Sequence, residues 1–206
     1  TIDDVLDQIR EVSQNSKEIG DHFERLMLAF LKTEPFYQKQ FEQVWLWNDW
    51  PRNQNKPDTG IDLVAKDVDS ESFTAIQCKN YQPTKTITKE DIDSFFTASG
   101  KKEFSQRIIA CTTDLWSPNA EDAIRGQAIP VTLIGIKALT DSTIDWSTWD
   151  INDVDALSLT PSEIIDAIPV DDSLYPQDDE VADPVPKNSV AKKKILAKDR
   201  FTPAWL

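Results

Sequence analysis

Apolar side chains at Ile19, Phe23, Leu26, Met27, Phe30 and Leu31 follow the i, i+4, i+7, i+8 spacing of an amphipathic helix. Glu24 lies about 100° around that helix from Phe23, at the margin of the apolar stripe beside Leu31. Phe41–Trp47 reads as a first strand, and NDWPRNQNKPDTG, 48–60, as a loop of turn formers. Ile61–Val68 and Phe73–Lys79 are predicted to pair as a hairpin through Asp69–Ser72. Thr88 with Asp91 three residues on, preceded by Ile87, resembles an N-cap with a hydrophobic staple. A helix is expected from Lys89 to about Ser99, closed by Gly100. Arg107–Thr113 is a predicted strand. Ser117-Pro118 starts a helix to about Arg125, and Val131–Ile136 is the last strong strand. The predicted order is α, β, β, β, α, β, α, β.

The pattern weakens beyond residue 140. Thr160-Pro161-Ser162-Glu163 ahead of IIDAI is a capping box that predicts one short helix. Residues 169–189 are rich in acids and prolines and read as an extended linker. The end, AKKKILAKDRFTPAWL, turns basic and then aromatic, as the start of another domain would. The expected division is 1–145 as a folded domain, 146–190 as an acidic coupling segment, and 191–206 as the start of a second domain.

Charge sharpens this division. The 206 residues carry a net charge of −14. Residues 1–140 hold 16 Lys and Arg against 22 Asp and Glu, whereas 141–186 hold 13 acids and no Lys or Arg. The acidity therefore belongs mainly to the appendage, either as a solvated linker or as a phosphate mimic that docks on basic surfaces. No apolar stretch approaches the ~20 residues that a membrane helix needs. Cys78 and Cys111 fall inside apolar runs and read as buried free thiols. A single histidine, His22, excludes His-rich zinc sites.

The candidate chemistry lies on the hairpin. Asp62 opens one apolar run, and Gln77 and Lys79 close the next. In a strand, 77 and 79 share a face and Cys78 points the other way, into the core. A carboxylate, an amide oxygen and an ammonium around one small volume suit phosphodiester hydrolysis, which needs oxygen ligands for a metal and a cation near the phosphate. The plainer reading of each residue alone is a turn cap for Asp62, exposed strand positions for Gln77 and Lys79, and a solvated helix edge for Glu24. The tryptophans at 45, 47 and 50 read as core and loop anchors. Lys85, Lys89, Lys101, Lys102 and Arg107 are candidate DNA contacts or solvated surface.

The helix EIGDHFERLMLAFL, then GIDLVA and QCKNY, then ITKEDIDSFF, RIIACTT, SPNAEDAIRG and VTLIGIKAL resemble the Mrr-like branch of the PD-(D/E)xK nuclease superfamily, over nearly the whole domain. WLWNDWPRNQNKPDTGIDLVA and the acidic extension resemble in particular the N-terminal nuclease of single-chain Type ISP restriction–modification enzymes. The resemblance implies a restriction-endonuclease-like α/β fold, with a mixed central sheet flanked by helices around an αβββαβ core. It implies Asp62, Gln77 and Lys79 as the catalytic set, with Asp62, Gln77 and Glu24 as metal ligands. The metal would be Mg²⁺, with Mn²⁺ as the alternative. The pattern aligns its metal aspartate with Asp62 and not with Asp58 of the literal Pro57-Asp58, because strands position ligands better than loops.

The implied activity is non-specific nicking of double-stranded DNA in the bacterial cytoplasm. The parent polypeptide would add a helicase-like ATPase that consumes ATP, a methyltransferase and a target-recognition domain. Two competing readings are a restriction fold used only for DNA binding or docking, and an acidic DNA-mimic inhibitor.

Overall fold

The computed structural model describes residues 1–53, 60–68 and 70–161. Helix α1 (Ile2–Val12) opens on a capping box in which Thr1 and Asp4 bond reciprocally. It buries Ile2, Val5, Leu6 and Ile9, an i, i+3, i+4, i+7 stripe. The predicted first helix is therefore the second: α2 spans Ser16–Thr33. His22 of α2 makes a 2.9 Å hydrogen bond through Nδ1 with Ser13 Oγ at the end of α1. A short α3 (Pro35–Gln40) follows, capped by the Glu34 carboxylate and with Pro35 in its first turn.

Five strands form the central sheet in the order β1-β2-β3-β4-β5. They are β1 (Phe41–Leu46), β2 (Leu63–Asp67), β3 (Phe73–Lys79), β4 (Phe104–Cys111) and β5 (Val131–Ile134). The first three are antiparallel neighbours, while β4 runs parallel to β3 and β5 parallel to β4. The sheet is thus mixed, and its crossovers are the helices α4 (Glu90–Ala98) and α5 (Pro118–Arg125). This is the restriction-endonuclease-like α/β architecture.

Side-chain alternation divides the core into two layers. Leu63, Ala65, Ile76, Ile108, Ala110 and Ile134 pack with α1 and α2 on one face. Val64, Phe73, Ala75, Ile109 and Cys111 pack with Ile92 and Phe95 of α4 and Ala120 of α5 on the other. Trp47 and Trp50 are buried in that second layer, where Trp50 meets the rings of Phe73 and Phe104. Asp67, itself buried, accepts from Thr74 Oγ at 2.7 Å and Ser105 Oγ at 2.9 Å, which fastens β2 to β3 and to the start of β4.

Several boundaries differ from expectation. Trp47–Asp49 leaves β1 as a 3₁₀ turn. The Thr88 hydroxyl donates to Asp91, and α4 has no side-chain cap; of the expected box only the reciprocal half, Thr88 N–H to Asp91, is made. Gly100 follows the end of α4 without entering the left-handed region, and among the described glycines Gly60 alone has positive φ. β5 stops at Ile134, and Ile136–Thr140 forms α6.

Packing also continues past the expected boundary at 145. The first compact unit runs Thr1–Glu163. β6 (Ile144–Asp145) pairs with β7 (Ser158–Leu159), and Trp146, Trp149 and Leu157 join the layer containing α1 and α2. Trp146 stacks on Phe30 at 5.9 Å. Those bulky residues bury apolar area that a composition count hides among the surrounding acids. The helix expected after Thr160, the linker and the basic end lie outside the described residues.

Candidate active site

Asp62 stands one residue ahead of β2, yet its backbone is held on both sides. Its N–H donates to Ile76 C=O at 2.9 Å, and its C=O accepts from Trp47 N–H at 2.8 Å. The sheet ladder therefore continues through Asp62 and fixes it. Ahead of it, Gly60 has φ of +102°, a conformation open to glycine and strained for other residues. A Cβ there would lie 3.0 Å from Ser94 Oγ and 3.2 Å from Phe95 N, so α4 presses directly on this turn.

The Asp62 side chain reaches across to β3, where Oδ2 accepts from Cys78 N–H at 2.6 Å. Such a charge-assisted bond is stronger than one between neutral groups. Cys78 is the middle residue of Gln77-Cys78-Lys79, so the carboxylate sits at the backbone that carries both other candidates.

Gln77 is 1% exposed. Its Nε2 donates to Gly60 C=O at 3.2 Å. A carbonyl oxygen can only accept, so the amide nitrogen must face Gly60 and Oε1 must face away. Oε1 is buried and, among the described residues, has no hydrogen-bond partner. A buried acceptor left in that state costs about 1–3 kcal/mol. Lys79 is half-buried, and among the described residues its ammonium forms no ion pair.

Glu24 is half-buried on α2 and lines a cleft of about 220 Å³ with Lys17, Asp21, Arg25, Trp47 and Asp62. Gln77 and Lys79 do not line it; they adjoin the site through the Cys78 backbone. The Cys78 thiol registers the surrounding charges. Burial pushes its pKa well up, the carboxylates of Asp62 and Glu24 push the same way, and Lys79 opposes them. The neutral thiol is a poor metal ligand, since ligation needs the thiolate. Both cysteines are free; Cys78 is half-buried against the α2 layer, and Cys111, fully buried, has its pKa raised to about 12 by burial.

This donor set consists of hard oxygens: two carboxylates on one cleft and a buried amide oxygen without a partner. Hard oxygens suit Mg²⁺ and not zinc. Among the described residues no group of three His, Cys, Asp or Glu could hold a metal. Gln77 carries an amide in place of an acid and lies outside the cleft lining. A larger hollow, about 460 Å³ between α1 and the end of β4, contains none of the predicted site residues.

Two supporting residues escaped the sequence. Thr112 Oγ accepts from Tyr81 N–H at 2.8 Å and donates to Tyr81 C=O at 2.7 Å, locking the exit of β3 to β4 just beyond Lys79. The Tyr81 hydroxyl donates to Asp91 at 3.0 Å. Tyr81 was visible in the QCKNY block, but no local signal marked Thr112. Of the candidate DNA contacts, Lys85 pairs with Asp91 and Lys89 with Asp93, while Lys101 and Lys102 are exposed. Arg107 must be removed from that set. It is 3% exposed and donates to Ser99 Oγ, Gln127 Oε1 and Phe96 C=O, with its guanidinium over the Phe96 ring. Asp58 lies outside the described residues.

Residues 32–156 match the model of a restriction endonuclease family of Mrr type. The chain belongs to this restriction endonuclease family. Among solved structures, the endonuclease domain is similar to the ATP-dependent Type ISP restriction–modification enzyme LlaBIII bound to DNA. The two are 32% identical, with a TM-score of 0.64, over 77% of this chain and 10% of that one. The domain thus spans about a tenth of that enzyme's length. Weaker likenesses are to the MspJI restriction endonuclease in complex with an oligonucleotide (18% identity, TM-score 0.40, 66% of this chain and 29% of that one) and to the DNA modification-dependent restriction endonuclease AspBHI (12%, 0.45, 66% and 33%). No curated protein matches the chain. Among the described residues, no helix is long and apolar enough to cross a membrane.

Proposed function

We propose that this domain hydrolyses DNA phosphodiester bonds with the help of a divalent cation. The reading is carried by one observation: the Asp62 carboxylate rests on the N–H of Cys78, the residue between Gln77, whose buried amide oxygen has no partner among the described residues, and Lys79, whose ammonium forms no ion pair among them. Asp62, Gln77 Oε1 and the C=O of Cys78 would hold Mg²⁺, and Glu24 would hold a second ion or orient its water. Bound there, the ion would acidify water and offset phosphate charge. Lys79 would orient the attacking water and stabilise the charge that builds on the phosphate oxygens. With Gln77 in place of an acid, the site carries one negative charge fewer, so metal affinity without DNA should be weak.

By its likeness to the ATP-dependent enzyme, the domain would work within a longer polypeptide that moves along double-stranded DNA, with methyltransferase and target-recognition parts. Residues 1–140 carry more acids than bases, so unaided affinity for duplexes should be low. Delivery by a motor compensates for that. The missing third acid supports one rival, a restriction fold kept for binding alone.

Nicking of supercoiled plasmid by the parent polypeptide, with ATP and Mg²⁺, separates the two. Lys79→Ala should slow nicking at least ~10²-fold if it acts as a transition-state donor, and Asp62→Ala should abolish it. Cutting by both variants at the wild-type rate would leave only the binding module.

A further inference from the structure

Most surface cations among the described residues are already spoken for. Arg10 pairs with Asp7, Lys17 with Asp21, Lys66 with Glu42 and Arg125 with Asp122. Arg25 is different. It is exposed on α2, lines the same cleft as Asp62 and Glu24, and forms no ion pair or hydrogen bond among the described residues. Lys17, the other cation of the cleft, is held by Asp21 at 2.7 Å.

An open arginine is out of place in a cleft that needs no more than its two metal-site carboxylates. A guanidinium offers a planar fork of donors that matches two oxygens of a phosphate, and its charge persists at any working pH. Among the described lining residues Arg25 carries the one guanidinium, and it stands beside the two candidate carboxylates.

We propose that Arg25 seats a backbone phosphate of duplex DNA beside the cleft, so that the strand to be cut runs along the exposed side of α2. The inference rests on the nuclease reading for the identity of the ligand. It assigns Arg25 to binding and not to bond cleavage.

The test measures duplex binding, not cutting. The 206-residue chain bearing Lys79→Ala, which keeps DNA intact if the nuclease reading holds, is titrated with a short duplex in Mg²⁺ by NMR, which reads weak affinities. It is then compared with the same chain bearing Arg25→Ala as well. Arg25 is exposed, so thermal unfolding should match between the two. The added substitution should weaken duplex binding roughly tenfold to a hundredfold, as loss of a charge-assisted bond does. It should also reduce the slope of log affinity against log salt by about 0.9. Arg25→Lys should recover part of the affinity, and Lys39→Ala, exposed on α3 outside the cleft, should change nothing. Equal affinity and slope with and without Arg25 would overturn the proposal, as would a chain that shows no duplex-induced shifts. Inorganic phosphate binding as tightly as duplex, and as dependent on Arg25, would also overturn it in favour of a small-anion site. If the Lys79→Ala chain still nicks its duplex, the nuclease role of Lys79 fails while the Arg25 comparison stands, so the two ideas are separable.

Discussion

Replacing Gln77 by Glu would give the site its third acid, and the burial of that position makes the consequence calculable. The amide now donates to Gly60 C=O and turns its oxygen toward the interior at 1% exposure. A carboxylate cannot make that bond; a protonated carboxyl can. Without metal, the new side chain should therefore stay protonated in the folded chain, with its pKa raised above the ordinary 4.3 by lost hydration and by the nearby Asp62. For a carboxyl whose folded pKa is raised, stability is unaffected below the unfolded pKa and falls as pH rises above it, until the folded pKa is reached. Holding the proton at pH 7 costs at most about 3.7 kcal/mol, at 1.36 kcal/mol per pH unit above 4.3.

Metal inverts the effect, because an ion that displaces the proton gains a charged ligand in place of a dipole. Thermal unfolding from pH 4 to 8, with and without Mg²⁺, reads both limbs. The variant should match wild type near pH 4, fall behind by up to about 3.7 kcal/mol at pH 7, and regain more on adding Mg²⁺ than wild type does. Equal pH dependence, together with equal Mg²⁺ response, would show that position 77 does not face a cation site.

Gly60→Ala should destabilise the domain by at least about 1 kcal/mol, since both the positive φ and the contact with Ser94 and Phe95 resist a Cβ; equilibrium denaturation measures it, and a neutral result would contradict the tight approach. Asp91 accepts from Thr88 N–H, Thr88 Oγ and Tyr81 Oη, and Lys85 lies beside it. Burial alone would raise its pKa, but these partners together lower it. Its contribution should be complete above about pH 4, the unfolded value, and be lost as pH falls through the lower folded value. Asp91→Asn should thus cost about 1 kcal/mol at pH 7 and lose less on acidification than wild type, as read by urea unfolding at pH 7 and pH 3.

The hairpin and the helices that cover it were legible because each carries a strong local signal. Phe73–Lys79 matches β3 to the residue, and Ser117-Pro118 opens α5 as its chemistry dictates. Helix α1 was equally readable, since Thr1-Ile2-Asp3-Asp4 is a capping signal and Ile2, Val5, Leu6 and Ile9 are periodic. The segment after 145 was not readable in this way. Trp146, Trp149 and Leu157 are isolated apolars among acids, without a period, and only the tertiary surface of α1 and α2 gives them a place. At the site, alternation put Gln77 and Lys79 on one face, but it could not show that Asp62 reaches the Cys78 backbone or that Gly60 carries the amide of Gln77. Those contacts join segments sixteen and seventeen residues apart, and the strand ladder alone sets them. Nor could sequence separate the buried Arg107 from its exposed neighbours.

Because Ser94 and Phe95 bear on Gly60, and Gly60 holds Gln77, helix α4 has a mechanical grip on the hairpin of the candidate site from the layer opposite α2. Bulk added at Ser94 would be transmitted, through one carbonyl, to the amide proposed to face the cation. Engineers seeking to retune this endonuclease domain without touching its polar groups have in that single serine a remote adjusting screw.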